Sequence, residues 1–256
     1  MWQLINREIG KAPENNHKLQ LKIENKITSN PTEITEKLNV YFISTVEELV
    51  KENSNRRCYN KLEIKHCPNS IFIHPVTEEE VISLTKSLKG KPTAAYDDTP
   101  ERLVKQCMQL TKWPLAHIYN VLLKSGVFPD EWKTAKVKPL YKKGDTYDTQ
   151  NYRPISAISV FAKLLERLMY NRITSFLYEN KIFTEAQNCF RKGKCIETAV
   201  HSFNETIQEA LDKQVCTIGT FFDLTKAHDV LNHKLLLEKL SSYCIRAPRT
   251  LGLGLI

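Results

Sequence analysis

VCTIGTFFDLTKAHD, residues 215–229, decides whether this chain is purely helical or mixed. Its first eight residues are apolar, β-branched or aromatic apart from Gly219, a texture that predicts a buried core strand. The strand ends on a carboxylate, Asp223, and a second acid, Asp229, follows six positions later. A carboxylate at the tip of a buried strand is desolvated at a cost unless something positive meets it. The candidates are a metal ion, a Lys or Arg, or a helix N-terminus.

Working outward, KVKPLYKKGD (136–145) alternates and is basic, with Gly-Asp as its turn, and YRPISAI (152–158) follows a polar loop, so the two predict a β-hairpin. The remaining elements read as helices. Asn30, Pro31 and Glu33 form a start signal for a helix running to about Lys51. Thr77-x-x-Glu80 predicts a capping box, with Gly90 just past the end of that helix. A third helix starts at Thr99-Pro100, breaks at Trp113-Pro114 and resumes to Gly126. Leu164, Leu165, Leu168, Met169, Ile173, Phe176 and Leu177 mark a long amphipathic helix. Val200, Phe203, Ile207 and Leu211 mark another with its stripe turned inward, and Asn232 caps a final one. Residues 52–75 read as a loop, and APRTLGLGLI (247–256) fits no element. The expected class is α+β: a linker or disordered arm over 1–29, a helical N-terminal extension over 30–130, and a small-sheet domain over 131–256 that is still mid-fold at the end of the sequence.

The 256 residues have a globular composition, with no apolar h-region at the start and no run near the roughly 18 residues of a membrane span, so the expectation is an intracellular protein, nuclear or cytoplasmic, without a membrane partner. Formal net charge is +8, and residues 130–200 hold thirteen basic against eight acidic side chains. Over half the excess therefore sits in about a quarter of the chain, which favours a polyanionic partner. The seven cysteines, an odd number, include no C-x-x-C pair; His66-Cys67 near Cys58 matches no standard zinc spacing, so reduced thiols without disulfides are expected.

A polymerase needs carboxylates for two divalent cations, Lys and Arg for the incoming triphosphate, and further basic groups for the template. Asp223 and the hairpin with Lys136, Lys138, Lys142, Lys143 and Arg153 supply such types. Taken in order, VKPLYKKGD, NYRPISAISVFAKLLERLMYNRI, TEAQNCFRKGKCIETA and FFDLTKAHDVLNHKLLLEKL resemble the reverse transcriptases of LINE-type (non-LTR), jockey-like retrotransposons, collinearly from about residue 30 to 245. The resemblance implies part of a right-hand polymerase, fingers and an incomplete palm. In it, residues 136–156 would be the finger strands, and Lys142 or Lys143 with Arg153 would hold the incoming dNTP. Phe190, Arg191 and Lys192 would lie near template and nucleotide. Asp223 would be the first catalytic carboxylate and a Mg²⁺ ligand, with the Leu224 carbonyl on the second metal. The implied partners are an RNA template, a DNA primer and dNTP.

The chain departs from that pattern. No paired-aspartate motif (F-A-D-D or Y-x-D-D) follows residue 223, and Asp97-Asp98 reads as a solvated turn rather than a substitute. His228 stands where the family has an aromatic sugar gate, five positions after the catalytic acid. Cys189 replaces the Gly of G-F-R. Cys195-Ile196 replaces Ser-Thr, which removes a hydroxyl cap, and Asp229 reads as a turn or cap acid. These departures predict a chain that is catalytically incomplete by itself. The competing expectations are a non-catalytic basic nucleic-acid-binding remnant, or a poorly folded fragment whose apolar run 215–222 leaves an open sheet edge.

Overall fold

The computed structural model describes residues 19–54, 69–91, 94–224 and 226–245. The first part of the expected arm, the Cys58 and His66-Cys67 group, most of the 52–75 loop and the 247–256 tail lie outside the described residues. The secondary structure is mixed α+β, helices with two small sheets. The chain divides into two compact units, each built from two stretches: Met1–Cys58 with Ala135–Ala157, and Tyr59–Thr134 with Ile158–Ile256.

In the first unit, β1 (Leu21–Ile23) and β2 (Lys26–Thr28) form an antiparallel hairpin inside the region expected to be an arm. Glu24 and Asn25 join them with φ of 48° and 66°, the left-handed pair that matches strand twist in a two-residue turn. Helix α1 (Pro31–Ser54) starts as its sequence predicts: Thr32 N donates to Asn30 Oδ1 at 3.0 Å, and Glu33 accepts from Thr28 and Asn30 side chains at 2.8 and 3.0 Å. Strands β3 (Lys136–Tyr141) and β4 (Tyr152–Ala157) pair antiparallel in the register Lys136↔Ala157 to Tyr141↔Tyr152. Ile34 and Leu38 of α1, Leu21 of β1 and Tyr152 of β4 make the unit's core, with Phe42 packed on it.

In the second unit, α2 (Glu78–Lys86), α3 (Glu101–Ser125) and α5 (Val160–Glu179) enclose a core that includes Val81, Met108, Tyr119, Leu164 and Leu168. The short α4 (Asp130–Lys133) sets Trp132 edge-on to Tyr119 and stacked on Phe161. Thr77 Oγ1 caps α2 by accepting from Glu80 N at 3.2 Å. The other half of the expected box is diverted, because the Glu80 carboxylate accepts from Arg172 at 2.8 Å, while the same guanidinium donates to the His74 carbonyl. Asn120 clamps the backbone of Val76 on both sides, accepting from its N–H at 2.6 Å and donating to its carbonyl at 2.9 Å. Two further helices follow, α6 (Ile196–Asp212) and α7 (His233–Ser242); Asn232 Oδ1 caps α7 by accepting from Leu235 N at 3.1 Å.

Three expectations are corrected here. Helix α3 runs through Pro114 without a break. Val104 and Met108 before the proline and Leu115, Ala116 and Tyr119 after it are buried in one core, and burial at about 1.5–3 kcal/mol per large side chain outweighs the roughly 3 kcal/mol that an internal proline costs. The stripe on α6 is not turned inward: Val200, Phe203 and Leu211 are exposed, and no residue of the helix is buried. Residues 215–224 are irregular rather than a buried strand, with Ile218 92% and Phe222 89% exposed. Both described sheets are two-stranded and neither includes this run. High β-propensity becomes a strand only against a paired edge and a packed face.

Candidate nucleotide and template site

The hairpin β3–β4 positions the first group of candidate residues. Its register puts Lys136, Lys138 and Arg153 on one face and the Tyr141–Tyr152 pair on the other, where Tyr152 enters the unit's core. The buried tyrosine thus fixes which face is basic. The connecting loop is tied down by its own groups. Lys142 N donates to the Asn151 carbonyl at 2.8 Å, Tyr141 OH donates to the Gly144 carbonyl at 2.6 Å, and Tyr152 OH donates to the Thr146 carbonyl at 2.6 Å. Gly144 sits at φ +101°, and a Cβ there would lie 2.8 Å from the Asn151 side chain, so glycine is required. Lys142, Lys143 and Arg153 are exposed on this held scaffold. Among the described residues, none of the five hairpin cations has a side-chain hydrogen bond or ion pair. In the second unit, by contrast, Lys163, Arg172, Arg191 and Lys194 are all paired with acids.

The second group lies in the second unit. Arg191 turns inward, its side chain 8% exposed. It donates to the Thr184 carbonyl at 2.7 Å and the Gln187 carbonyl at 3.4 Å, approaches Glu185 at 3.6 Å, and lies over the Tyr178 and Phe183 rings at 5.5 and 5.4 Å. Lys194 donates to the Glu185 carbonyl and carboxylate at 2.8 and 2.9 Å. Lys194 first, then Arg191, hold the Glu185 carboxyl below the usual carboxylate range. Phe190 is turned the other way: φ is +59°, the residue is 78% exposed, and its ring stands edge-on to His228 with centroids 6.1 Å apart. The structure therefore brings Phe190 and His228 together. Lys192, two residues after Phe190, is exposed. Cys195 is the N-cap of α6, and Thr198 at N3 closes back on it, its Oγ1 accepting from Cys195 N at 3.0 Å.

Asp223 and Leu224 are exposed on the irregular run, and among the described residues the Asp223 carboxylate has no hydrogen bond or ion pair. Among the described residues no three His, Cys, Asp or Glu side chains converge as a metal cage would. The donors at 223–224 are hard oxygens of the kind a divalent cation takes, but one carboxylate and one carbonyl form part of a ligand set, to be completed by substrate phosphates or further acids. Asp229 lies in the turn over 226–230, where its N–H donates to the Lys226 carbonyl at 2.9 Å. Asp97 and Asp98 are exposed and Asp97 lies in a turn, as the sequence predicts; Asp97 also accepts from Ser159 Oγ at 2.6 Å and from Thr99 N at 3.2 Å, joining the start of α5 to the start of α3. Reading the sequence missed the residues that grip Arg191, namely Tyr178, Phe183 and Glu185; a lone acid inside a basic turn, Glu185 before R-K-G-K, was the available signal. Among the described residues, Cys107, Cys189, Cys195, Cys216 and Cys244 form no disulfide, and no helix is long and apolar enough to cross a membrane.

Comparison with known proteins bears on these residues directly. Residues 140–251 match the family model "Reverse transcriptase (RNA-dependent DNA polymerase)". The chain is 32% identical over 171 residues to the probable RNA-directed DNA polymerase from transposon BS of Drosophila melanogaster, covering 66% of this chain and 19% of that protein. It is 30% identical over 171 residues to the RNA-directed DNA polymerase from mobile element jockey of the same fly, and 31% over 169 residues to that of Drosophila funebris. The chain thus spans about a fifth of the length of these relatives. The matched region takes in β4, the stapled turn at 184–194 and Asp223. Residues 140–251 therefore belong to the reverse transcriptase family, in the LINE-type, non-LTR, jockey-like group of mobile elements.

Proposed function

We propose that this chain supplies the fingers and the first palm acid of an RNA-directed DNA polymerase that copies mobile-element RNA, the architecture being part of a right-hand polymerase. In this reading Lys142, Lys143 and Arg153 hold the triphosphate of an incoming dNTP, with Lys136 and Lys138 extending the basic face along the template. Phe190, Lys192 and His228 stand beside the templating base and sugar. Asp223 and the Leu224 carbonyl are the oxygens that would hold Mg²⁺, which supplies charge stabilisation on the phosphates when bound. The partners are an RNA template and a DNA primer.

The observation that carries the reading is the hairpin's five cations, exposed and without acidic partners among the described residues, on a scaffold locked by Gly144, Asn151 and Tyr152. Unneutralised cations on a rigid strand pair fit a phosphate partner. If all five engage single-stranded RNA, the slope of log K against log salt is about −3.5, and affinity falls roughly a hundredfold between 50 and 200 mM salt. Lys142→Ala with Arg153→Ala should reduce that slope by about 1.4. Binding that ignores salt, or is unchanged in the double variant, would overturn the reading. Mg²⁺-dependent dNTP binding that is lost in Asp223→Asn separates a polymerase site from a non-catalytic RNA-binding remnant, which would bind RNA alone. With a single candidate palm acid, the 256-residue chain is not expected to extend oligo(dT) on poly(rA) by itself. Asp223-dependent extension would refute that incompleteness.

A further inference from the structure

We propose that Arg191 is a positioning residue, whose stapled side chain holds Phe190 outward as a stacking platform for an unpaired base of the template strand. The inference rests on the polymerase reading above and assigns Arg191 a role other than touching phosphate.

The guanidinium is held by its own turn and buried there. Its Nη1 donates to the Thr184 and Gln187 carbonyls, its Nη2 approaches Glu185, the neighbouring Tyr178 and Phe183 rings flank it on one side, and its Nε is buried without a hydrogen-bond partner. A side chain so enclosed cannot also grip a polyanion. Its effect falls on the preceding residue. A bulky residue at φ +59° is a conformational outlier that persists only where neighbours over-determine it. Two do so: the Arg191 staple on one side, and Tyr170 OH donating to the Phe190 carbonyl at 3.4 Å on the other. The result is a phenyl ring standing clear of the core, flanked edge-on by His228, near Lys192, which is exposed and among the described residues has no side-chain partner. An exposed aromatic beside a phosphate-reaching cation matches the way single-stranded nucleic acids are held, by base stacking plus backbone charge. The exposed Lys192 beside the ring, its neighbours Arg191 and Lys194 being neutralised by Glu185, favours an anionic nucleic acid over an apolar peptide as the occupant.

The test is single-stranded RNA binding by the full chain across a salt series. Phe190→Ala should weaken binding roughly tenfold with the salt slope unchanged, because stacking releases no counterions. Lys192→Ala should instead reduce the slope by about 0.7. Arg191→Ala should copy Phe190→Ala, leave the slope alone and add nothing in the double variant. Arg191→Lys keeps the charge but not the forked staple, so it should fail to rescue. Should Arg191→Ala unfold the chain, Arg191→Lys alone decides. A reduced slope in Arg191→Ala, additivity with Phe190→Ala, or rescue by Arg191→Lys would each overturn the proposal while leaving the polymerase reading standing. Absence of RNA binding by the unaltered chain would overturn both.

Discussion

Tyr119→Phe should destabilise the protein at neutral pH and stabilise it in strong alkali. Tyr119 is fully buried between α3 and α5, and its hydroxyl donates to the Phe161 carbonyl at 2.8 Å. Deleting the hydroxyl leaves the ring and its edge-on contact with Trp132 in place, so the loss is one neutral hydrogen bond, about 1 kcal/mol. Burial also drives the phenol's pKa far above its ordinary 10.0. A native-state value raised in this way contributes stability that is intact below the unfolded value and lost as pH rises above it, because only the unfolded chain can ionise. At about pH 11 the loss is about 1.4 kcal/mol. Tyr119→Phe lacks that ionisation, so its stability curve should lie below the unaltered protein's by about 1 kcal/mol at pH 7, meet it near pH 10.7 and lie above it at about pH 11. The other tyrosines contribute equally to both curves. Urea unfolding followed by tryptophan fluorescence from pH 7 to about 11 measures the two curves. A gap that stays constant with pH would refute the reasoning, since it would mean that the native protein lets this phenol ionise freely.

The remaining expectations concern other parts of the fold. Burial disfavours the charge on Glu101, but the Lys163 hydrogen bond and charge outweigh it and hold the carboxyl below 4.5; the stability this gives is present above that value and lost as pH falls through the lower native one, so Glu101→Gln should flatten the acid limb of a stability–pH curve. Gly144→Ala places a Cβ against the Asn151 side chain at a φ that alanine avoids, and should destabilise the hairpin loop by roughly 1–3 kcal/mol, seen as faster amide exchange over residues 141–152. Leu168→Ala, at a fully buried core position, should lower unfolding free energy by about 2–5 kcal/mol in urea titrations.

What the sequence revealed correctly is what is local. Asn30, Thr77 and Asn232 announce their helices because a cap is a contract between one side chain and backbone two or three residues away. The β3–β4 hairpin was legible for the same reason: its alternation, its turn and its partner all fall within about twenty residues. Pro114 misled because the helix around it is held by distant side chains rather than by its own propensity. The run 215–224 misled because its composition reports what it could pair with, and among the described residues no strand pairs with it. Residues 21–28 were overlooked because Glu24-Asn25 is an unusual occupant of a turn that favours Asn-Gly. At the candidate site, charge predicts Lys142, Lys143 and Arg153 as surface cations, and they are exposed, since an exposed cation needs no tertiary context. Charge alone could not show that Arg191 faces inward against Tyr178 and Phe183.

The two-stretch construction of the first unit sets a timetable for its birth. Leu21, Ile34, Leu38 and Phe42 leave the ribosome first, and Tyr152, which completes their cluster, is translated about a hundred residues later. At cellular elongation speeds that delay is roughly 5–20 s. Throughout it the nascent helix α1 carries a sticky flank with no lid, a natural client for a trigger-type holding chaperone. A ribosome stalled between α3 and β4 would release a piece whose first-unit cluster lacks Tyr152, whereas α2 and α3 of the second unit could already lie side by side.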